Sequence, residues 1–244
     1  MNLAPLVVVS GTGTEIGKTH LSAALIRAWV RRLEAMGRAD AKVAGVKPIE
    51  TGVAEGTLFG ADGETLASAS TFHVKQFPPP FLFARPVSPH LAARIEGRVI
   101  DFAVILEWVA RIRTEADGVL VELPGGLFSP LTENPTRTNA DLARDLAPDA
   151  VVLVAQDRLG VLHDLGATVR AAQTDGLSIS GILLSAPANA DSSTGDNTAE
   201  VPLVTSVPVL AALPRARASE LERNPVFTRA LGMLFPSLAE QRIE

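Results

Sequence analysis

The sequence predicts an α/β fold, a mostly parallel central sheet flanked by helices on both faces, formed as a single domain over residues 1–244. Three observations carry that prediction. Several short runs are apolar throughout with no in-out alternation, which suits strands covered on both faces. Segments of helical period lie between them, and strand, helix, strand, helix in succession gives a parallel sheet sandwiched by helices. The first apolar run also breaks into a glycine-rich turn that restarts at once as a helix, in "VVVSGTGTEIGKTHLSAAL" from Val7 to Leu25.

Taken in order, "LVVVS" from Leu6 is the first strand. Leu25, Ala28, Leu33 and Met36 recur at threes to fives after Leu21, and Gly37 is a C-terminal stop for that helix. "KVAGV" from Lys42 is the second strand. Ser88-Pro89 reads as N-cap and first residue of another helix. Asp101 caps a further one, whose Phe102, Ile105, Leu106, Val109 and Ile112 face one way. "GVLVEL" from Gly118, "AVVLVA" from Ala150, "ISGILLS" from Ile179 and "PVLAAL" from Pro208 complete the strands. Two stretches interrupt the pattern. "QFPPPFLFARPVSPH" is proline-rich but too apolar for a free linker, and "APANADSSTGDNTAE", Ala186 to Glu200, reads as a mobile polar loop. No internal repeat or domain boundary is visible.

At 244 residues and 47% hydrophobic content, the chain can bury a full core. A formal charge of -5 without any basic block argues against nucleic acid or an acidic membrane as partner, so any bound anion must be met locally. The absence of cysteine excludes disulfides and thiolate metal sites or nucleophiles. The opening apolar run lacks a positive flank and is too short for a signal segment or a membrane span. A soluble cytoplasmic protein is expected.

A strand that ends in a glycine-rich turn and restarts as a helix aims free backbone N–H groups and the positive end of the helix dipole at one spot. Phosphate belongs there. Gly11 to Gly17 would cradle it, Lys18 would reach the terminal phosphates, and the Thr19 hydroxyl would take a place on magnesium. Gly11 to Gly17 encloses five residues where the common P-loop encloses four, a spacing that a strict pattern would miss. Nucleotide binding is the expectation.

Lys47, in "GVKPIETG", precedes a proline and is held extended at the C-terminal edge of the sheet, the edge that carries the phosphate loop. Thr51 and Gly52 close the turn or touch a substrate. Glu122 stands at the end of the third strand before a Pro-Gly-Gly turn, where a magnesium ligand is commonly kept. Asp62 is either a further metal candidate or a simple N-cap. Because both lysines face a crevice, replacing either is expected to stop turnover and leave the fold intact.

Beyond the loop, "KPIETG", "ARPVSPHLAAR", "VELPGGLFSPL", "RLGVLHDLGATVRAAQTDGLSISGILLS" and "VPVLAALP" follow in order. With "GTGTEIGKT" they cover nearly the whole chain, which resembles the dethiobiotin synthetase family, ATP-dependent carboxylases of P-loop NTPase-like fold. The family's loop commonly reads Gly-Thr-Asp-Thr-Glu-Val-Gly-Lys-Thr, with the same spacing. The resemblance implies a homodimer that converts 7,8-diaminononanoate, carbon dioxide and Mg-ATP to dethiobiotin, ADP and phosphate. It implies catalytic roles for Thr14, Lys18 and Lys47, and nucleotide contacts from Gly13, Thr14, Glu15, Ile16, Gly17, Lys18, Thr19, His20, Ser185 and Pro214. Magnesium would fall to Thr19, Asp62 and Glu122. Substrate would meet Thr14, Lys47 and Thr51, with Gly160, Val161 and Leu162 of the partner subunit holding its carboxylate tail.

Four positions depart from the family's pattern. Gly13 stands where the loop often has Asp, "ELPGG" replaces Glu-Gly-Ala-Gly-Gly, His163 replaces a polar amide, and Ser185 replaces an asparagine that reads adenine. A serine hydroxyl can rotate to suit either purine, and Asn189 or Asn197 could fold back to supply the missing amide. The alternative reading is a P-loop ATPase switch of the partition or division-site type. Those proteins usually carry an extra lysine early in the loop, where Thr12 stands here. No Asn-Lys-x-Asp supports a GTPase, and a related amidoligase would normally need a glutamine-hydrolysing domain, for which there is no cysteine.

Overall fold

The computed structural model describes residues 3–214, 216–221 and 223–235. Its six-stranded sheet is built from the six apolar runs: β1 (Leu6–Gly11), β2 (Val43–Val46), β5 (Gly118–Glu122), β8 (Ala150–Gln156), β9 (Gly181–Ser185) and β10 (Val209–Leu213). All pairings in it are parallel, in the order β10-β9-β8-β1-β5-β2. Central strands β1, β5, β8 and β9 are buried along nearly their whole length, as continuous apolar runs require. Two short ribbons lie outside the sheet. β3 (Ile49–Thr51) pairs parallel with β4 (Phe81–Phe83), and β6 (Pro130–Glu133) pairs antiparallel with β7 (Thr136–Thr138).

Helices cover both faces. On one face α1 (Lys18–Ala35), α2 (Ala61–Ala69), α8 (Ala218–Leu221) and α9 (Pro225–Leu234) contribute to a core that includes Leu25, Trp29, Leu66 and Phe227. On the other, α3 (Pro89–Ile95), α4 (Phe102–Glu115), α5 (Asn139–Asp145) and α6 (Val161–Thr174) bury Ala92, Ile105, Leu142 and Leu165. The short α7 (Asn197–Glu200) lies between β9 and β10. From β1 the chain builds β5 and β2 to one side and β8, β9 and β10 to the other, so a crevice opens at the C-terminal strand ends where the order reverses.

Local signals held in most places. Asp101 accepts the Ala103 N–H at 2.8 Å and caps α4, and Gly37 takes φ +83° just past α1. Pro89 opens α3, but Ser88 makes no side-chain capping bond. Asp62 is not an N-cap: Gly60 holds that position, and Asp62 sits in the first turn of α2 with its side chain turned to the crevice.

The polar stretch expected to be mobile is instead clasped to the end of β8. Buried Asp157 accepts hydrogen bonds from the Gly195 N–H at 2.9 Å and the Asn197 amide at 2.7 Å, while the Asp191 carboxylate takes the Leu159 N–H at 2.8 Å. The reason is bookkeeping of buried polar groups: a carboxylate out of water at a strand end must be met by donors, and this loop supplies them.

Candidate active site

The loop between β1 and α1 is shaped by two glycines. At Gly11 a Cβ would lie 2.4 Å from Ile16 Cδ1 and 3.1 Å from the Val154 carbonyl, so a side chain there would displace Ile16 from its place under the loop. Gly17, with φ +86°, is the N-cap of α1 and offers no side chain to its first turn, which also holds no acidic residue. The open N–H groups there face a cavity of about 1070 Å³ lined by Gly11 through His20 and, across it, by Lys47, Glu50, Thr51, Asp62 and Gly126. An anion at that spot meets both orphan donors and the dipole.

Four charged groups interlock beneath it. Glu122 is fully buried at the tip of β5, and its carboxylate accepts from Lys47 Nζ at 2.9 Å, Thr19 Oγ1 at 2.8 Å and Ser22 Oγ at 2.7 Å. Lys47 also donates to Asp62 Oδ2 at 2.5 Å, so one ammonium bridges two carboxylates. Lys18 Nζ donates to the Gly13 carbonyl at 2.7 Å. Burial is the largest influence on Lys18 and, with the Lys47 charge, outweighs the attraction of Glu122 and Asp62, bringing its ammonium down to about 8. Burial acts on Lys47 in the same sense and is again the largest single influence, but Glu122 and Asp62 together override it and raise the group. Burial pushes the Asp62 carboxyl up, and the charge and hydrogen bond of Lys47 more than reverse that, leaving it below the ordinary carboxylate value.

These positions revise the expectation for Lys47. It is 5% exposed and compensates the buried Glu122 carboxylate, so its replacement is expected to cost stability, where the sequence alone suggested an intact fold.

Thr19, Asp62 and Glu122, the three candidate metal ligands, converge on one point, and the donor set is two carboxylates and a hydroxyl. Among the described residues no group of three or more His, Cys, Asp or Glu side chains gathers as a metal cage. That composition suits Mg2+, which is usually held by one or two carboxylates together with substrate phosphates.

Sequence reasoning missed three supporting residues. Glu50, buried beneath α2, accepts the Asp62 N–H at 2.8 Å and the Gly63 N–H at 3.0 Å, capping from a distance the helix whose own N-cap is glycine. Ser22, one turn after Lys18, holds the second Glu122 oxygen; its i+4 spacing was the available signal. Asn139, fully buried at the start of α5, donates to the Pro124 and Gly126 carbonyls at 2.6 and 2.8 Å. It fixes the Leu-Pro-Gly-Gly turn, and Leu127 N–H then ties that turn to the Gly11 carbonyl at 2.8 Å.

A second cavity, about 680 Å³, lies on the other side of the loop's end and shares Glu15, Ile16, Gly17 and His20 with the first. Ser185, Pro214 and Gln156 line it. The Ser185 hydroxyl is not a free rotor: it donates to the Ile16 carbonyl at 2.6 Å. Nor does Asn197 fold back into this space, because its amide is buried and spent on Asp157 and the Ser193 carbonyl. Asn189 is exposed and lines neither cavity. Thr14 is exposed at the crest of the loop, and Thr51 faces the first cavity. Gly160, Val161 and Leu162 line neither cavity; Gly160 is the N-cap of α6, and the Val161 side chain is packed in the core, leaving only its backbone for any contact.

Comparison with known proteins agrees with this architecture. A family described as "AAA domain" matches residues 6–223. The MinD cell division ATPase of Pyrococcus furiosus shares the fold, with a TM-score of 0.56 at 21% identity over 97% of this chain and 100% of that one. Sequence similarity is nearer to another group. The ATP-dependent dethiobiotin synthetase BioD of Ralstonia nicotianae is 38% identical over 85% of this chain and 87% of its own length. That of Anaeromyxobacter sp. (strain Fw109-5) is 34% identical over 86% and 89%. With the loop, the bridging lysine and near full-length likeness in hand, the chain belongs to the dethiobiotin synthetase family.

Proposed function

We propose that the chain is an ATP-dependent cyclo-ligase that closes the ureido ring of dethiobiotin from 7,8-diaminononanoate and carbon dioxide, releasing ADP and phosphate. The observation that carries the reading is the convergence of Lys18, Lys47, Thr19, Asp62 and Glu122 around the uncapped start of α1. Phosphoryl transfer asks little covalent help of a protein and much positive charge in fixed places. Two buried ammonium groups and an open helix N-terminus supply it here.

In this scheme one amine of the substrate adds to carbon dioxide and loses a proton, giving a carbamate. A carbamate oxygen attacks the γ-phosphorus as ADP leaves, and the second amine then attacks the carbonyl carbon, expelling phosphate and closing the cyclic urea. Loop N–H groups and Thr14 hold the phosphates in line. Lys18 leaves the Gly13 carbonyl for the γ-phosphate, and Lys47 faces both the phosphate and the carbamate, with Thr51 beside it. Thr19, Asp62 and Glu122 would hold Mg2+, which when bound neutralises developing charge on the phosphate oxygens. Residues 1–244 act as one domain. The chain works as a cytoplasmic homodimer in which Gly160, Val161 and Leu162 of one protomer close the site of the other; neither nucleic acid nor membrane takes part. No helix among the described residues is long and apolar enough to cross a membrane.

The test is a product assay with diaminononanoate, carbon dioxide and Mg-ATP. ATP hydrolysis is expected to stay low until both other substrates are present, because the nucleophile toward phosphorus is the carbamate. Rapid hydrolysis without the diamine, stimulated by a protein partner or a surface, would replace the synthetase reading with a switch ATPase.

A further inference from the structure

Three strand ends form the floor of the smaller cavity. Gln156 closes β8, Ser185 closes β9 and Leu213 closes β10, and the register places Gln156 beside Ser185 and Ser185 beside Leu213. A nucleobase whose phosphates lie at the α1 N-terminus has this floor within reach, because the two cavities meet at Gly17 and His20.

Most polar groups at the floor are already committed. The Asp157 N–H is bonded to the Ser185 carbonyl at 2.8 Å, and the Ala186 N–H to the Leu213 carbonyl at 3.0 Å. Ser185 gives its proton to the Ile16 carbonyl, and its 7% exposure leaves at most a lone pair for a ligand. Leu213 is apolar. The charged side chains of the cavity, Glu15, Arg217 and Glu220, are exposed at its rim, and the partly exposed His20 stands on α1, shared with the larger cavity. Gln156 is partly exposed, lines the cavity floor and makes no side-chain hydrogen bond to any described residue, and its amide places a donor and an acceptor side by side, as the His20 ring does not.

We infer that Gln156 selects the base, its amide pairing with the 6-amino group and N7 of adenine. It does from β8 what an asparagine at position 185 would do from β9. Ser185 supports the choice: an oxygen that can only accept favours an amino group and repels a 6-carbonyl. A purine with oxygen at C6 presents two acceptors on that edge, which neither side chain satisfies. This assignment rests on the proposed nucleotide-dependent reaction.

Equilibrium binding of ATP and inosine triphosphate, with Mg2+ fixed, tests it. The two differ on this edge only in the amino or carbonyl group at C6. Wild type is expected to prefer ATP by roughly tenfold or more, the discrimination of a good amide–base pair. Gln156→Ala should bring that preference within about threefold by weakening ATP while leaving inosine triphosphate unchanged, and Gln156→Glu, which lacks the donor, should also weaken ATP. Circular dichroism and melting of both variants should match wild type, since the side chain holds nothing else in place. A Gln156→Ala protein that binds ATP with the original preference overturns the base assignment and leaves the ligase reading standing. Failure of wild type to bind either nucleotide overturns both.

Discussion

The two cavities flanking the phosphate loop are built on opposite principles. The larger one is charged and closed on itself: Lys47 bridges Asp62 and Glu122, Thr19 and Ser22 hold the Glu122 oxygens, and Glu50 fixes the helix that carries Asp62. The smaller one buries no charged side chain among its lining residues and exposes its charges at the rim. On the proposed function, the difference follows from what each cavity would have to do. Charge that stabilises a transferring phosphoryl group has to be in place beforehand, in low dielectric, so its members must compensate one another while the site is empty. A base needs only a few neutral groups on an apolar surface, and these can be exchanged between neighbouring strands.

The largest expected effect breaks the charged side. Lys47→Ala should nearly abolish turnover and also lower stability by about 3–5 kcal/mol, because it strands the buried Glu122 carboxylate. Urea unfolding measures the second loss, and Mg2+ should restore part of it; an unchanged midpoint would show that Glu122 is compensated some other way. Lys18→Ala should cost roughly 10²–10³-fold in turnover, the scale of removing one transition-state donor, with little change in stability because among the described residues its ammonium donates only to the Gly13 carbonyl. Activity within threefold of wild type would remove Lys18 from the mechanism.

Glu50→Gln sharpens the contrast further in. It keeps the shape but replaces the acceptor of two α2 N–H groups, so Asp62 loses its fixed position. The Mg2+ concentration for half-maximal activity should rise about ten- to a hundredfold, as for other residues that orient a metal ligand. On the neutral side, Asn197→Ala should lower stability by about 1–3 kcal/mol through the unsatisfied Asp157 carboxylate and barely alter turnover. A large fall in kcat there would tie the two sides together.

The smallest effect concerns the support of the Pro-Gly-Gly turn. Asp141 closes a capping box with Thr138 at the start of α5, the helix that carries Asn139. Burial is the largest single influence and pushes its carboxyl up, but the Thr138 hydrogen bonds and the Arg144 contact together more than offset it, leaving the group below the ordinary value. A carboxyl depressed in the folded state adds stability above its unfolded pKa and loses it as pH falls through the folded one. Asp141→Asn should therefore cost about 1 kcal/mol at neutral pH, and the gap from wild type should close on acidification below the usual aspartate range.

All six strands of the sheet, the phosphate loop and the lysine at the sheet edge were legible in the sequence, because each depends on neighbours along the chain. An apolar run without alternation can only be covered on both faces, and a glycine loop between a strand and a helix can only present its N–H groups forward. What the tertiary structure alone decided is who meets whom. Lys47 is 15 residues from Asp62 and 75 from Glu122, and nothing local says that it bridges them. Ser185 looked like a free hydroxyl until the fold brought it under the Ile16 carbonyl, 169 residues away, and took its proton. The polar stretch after β9 carried the composition of a mobile loop, and a single buried carboxylate at the end of β8 made it a clasp. Periodicity and spacing are properties of one segment, whereas burial and the direction of a hydrogen bond are properties of two, and only the order of strands in the sheet determines which two segments are neighbours.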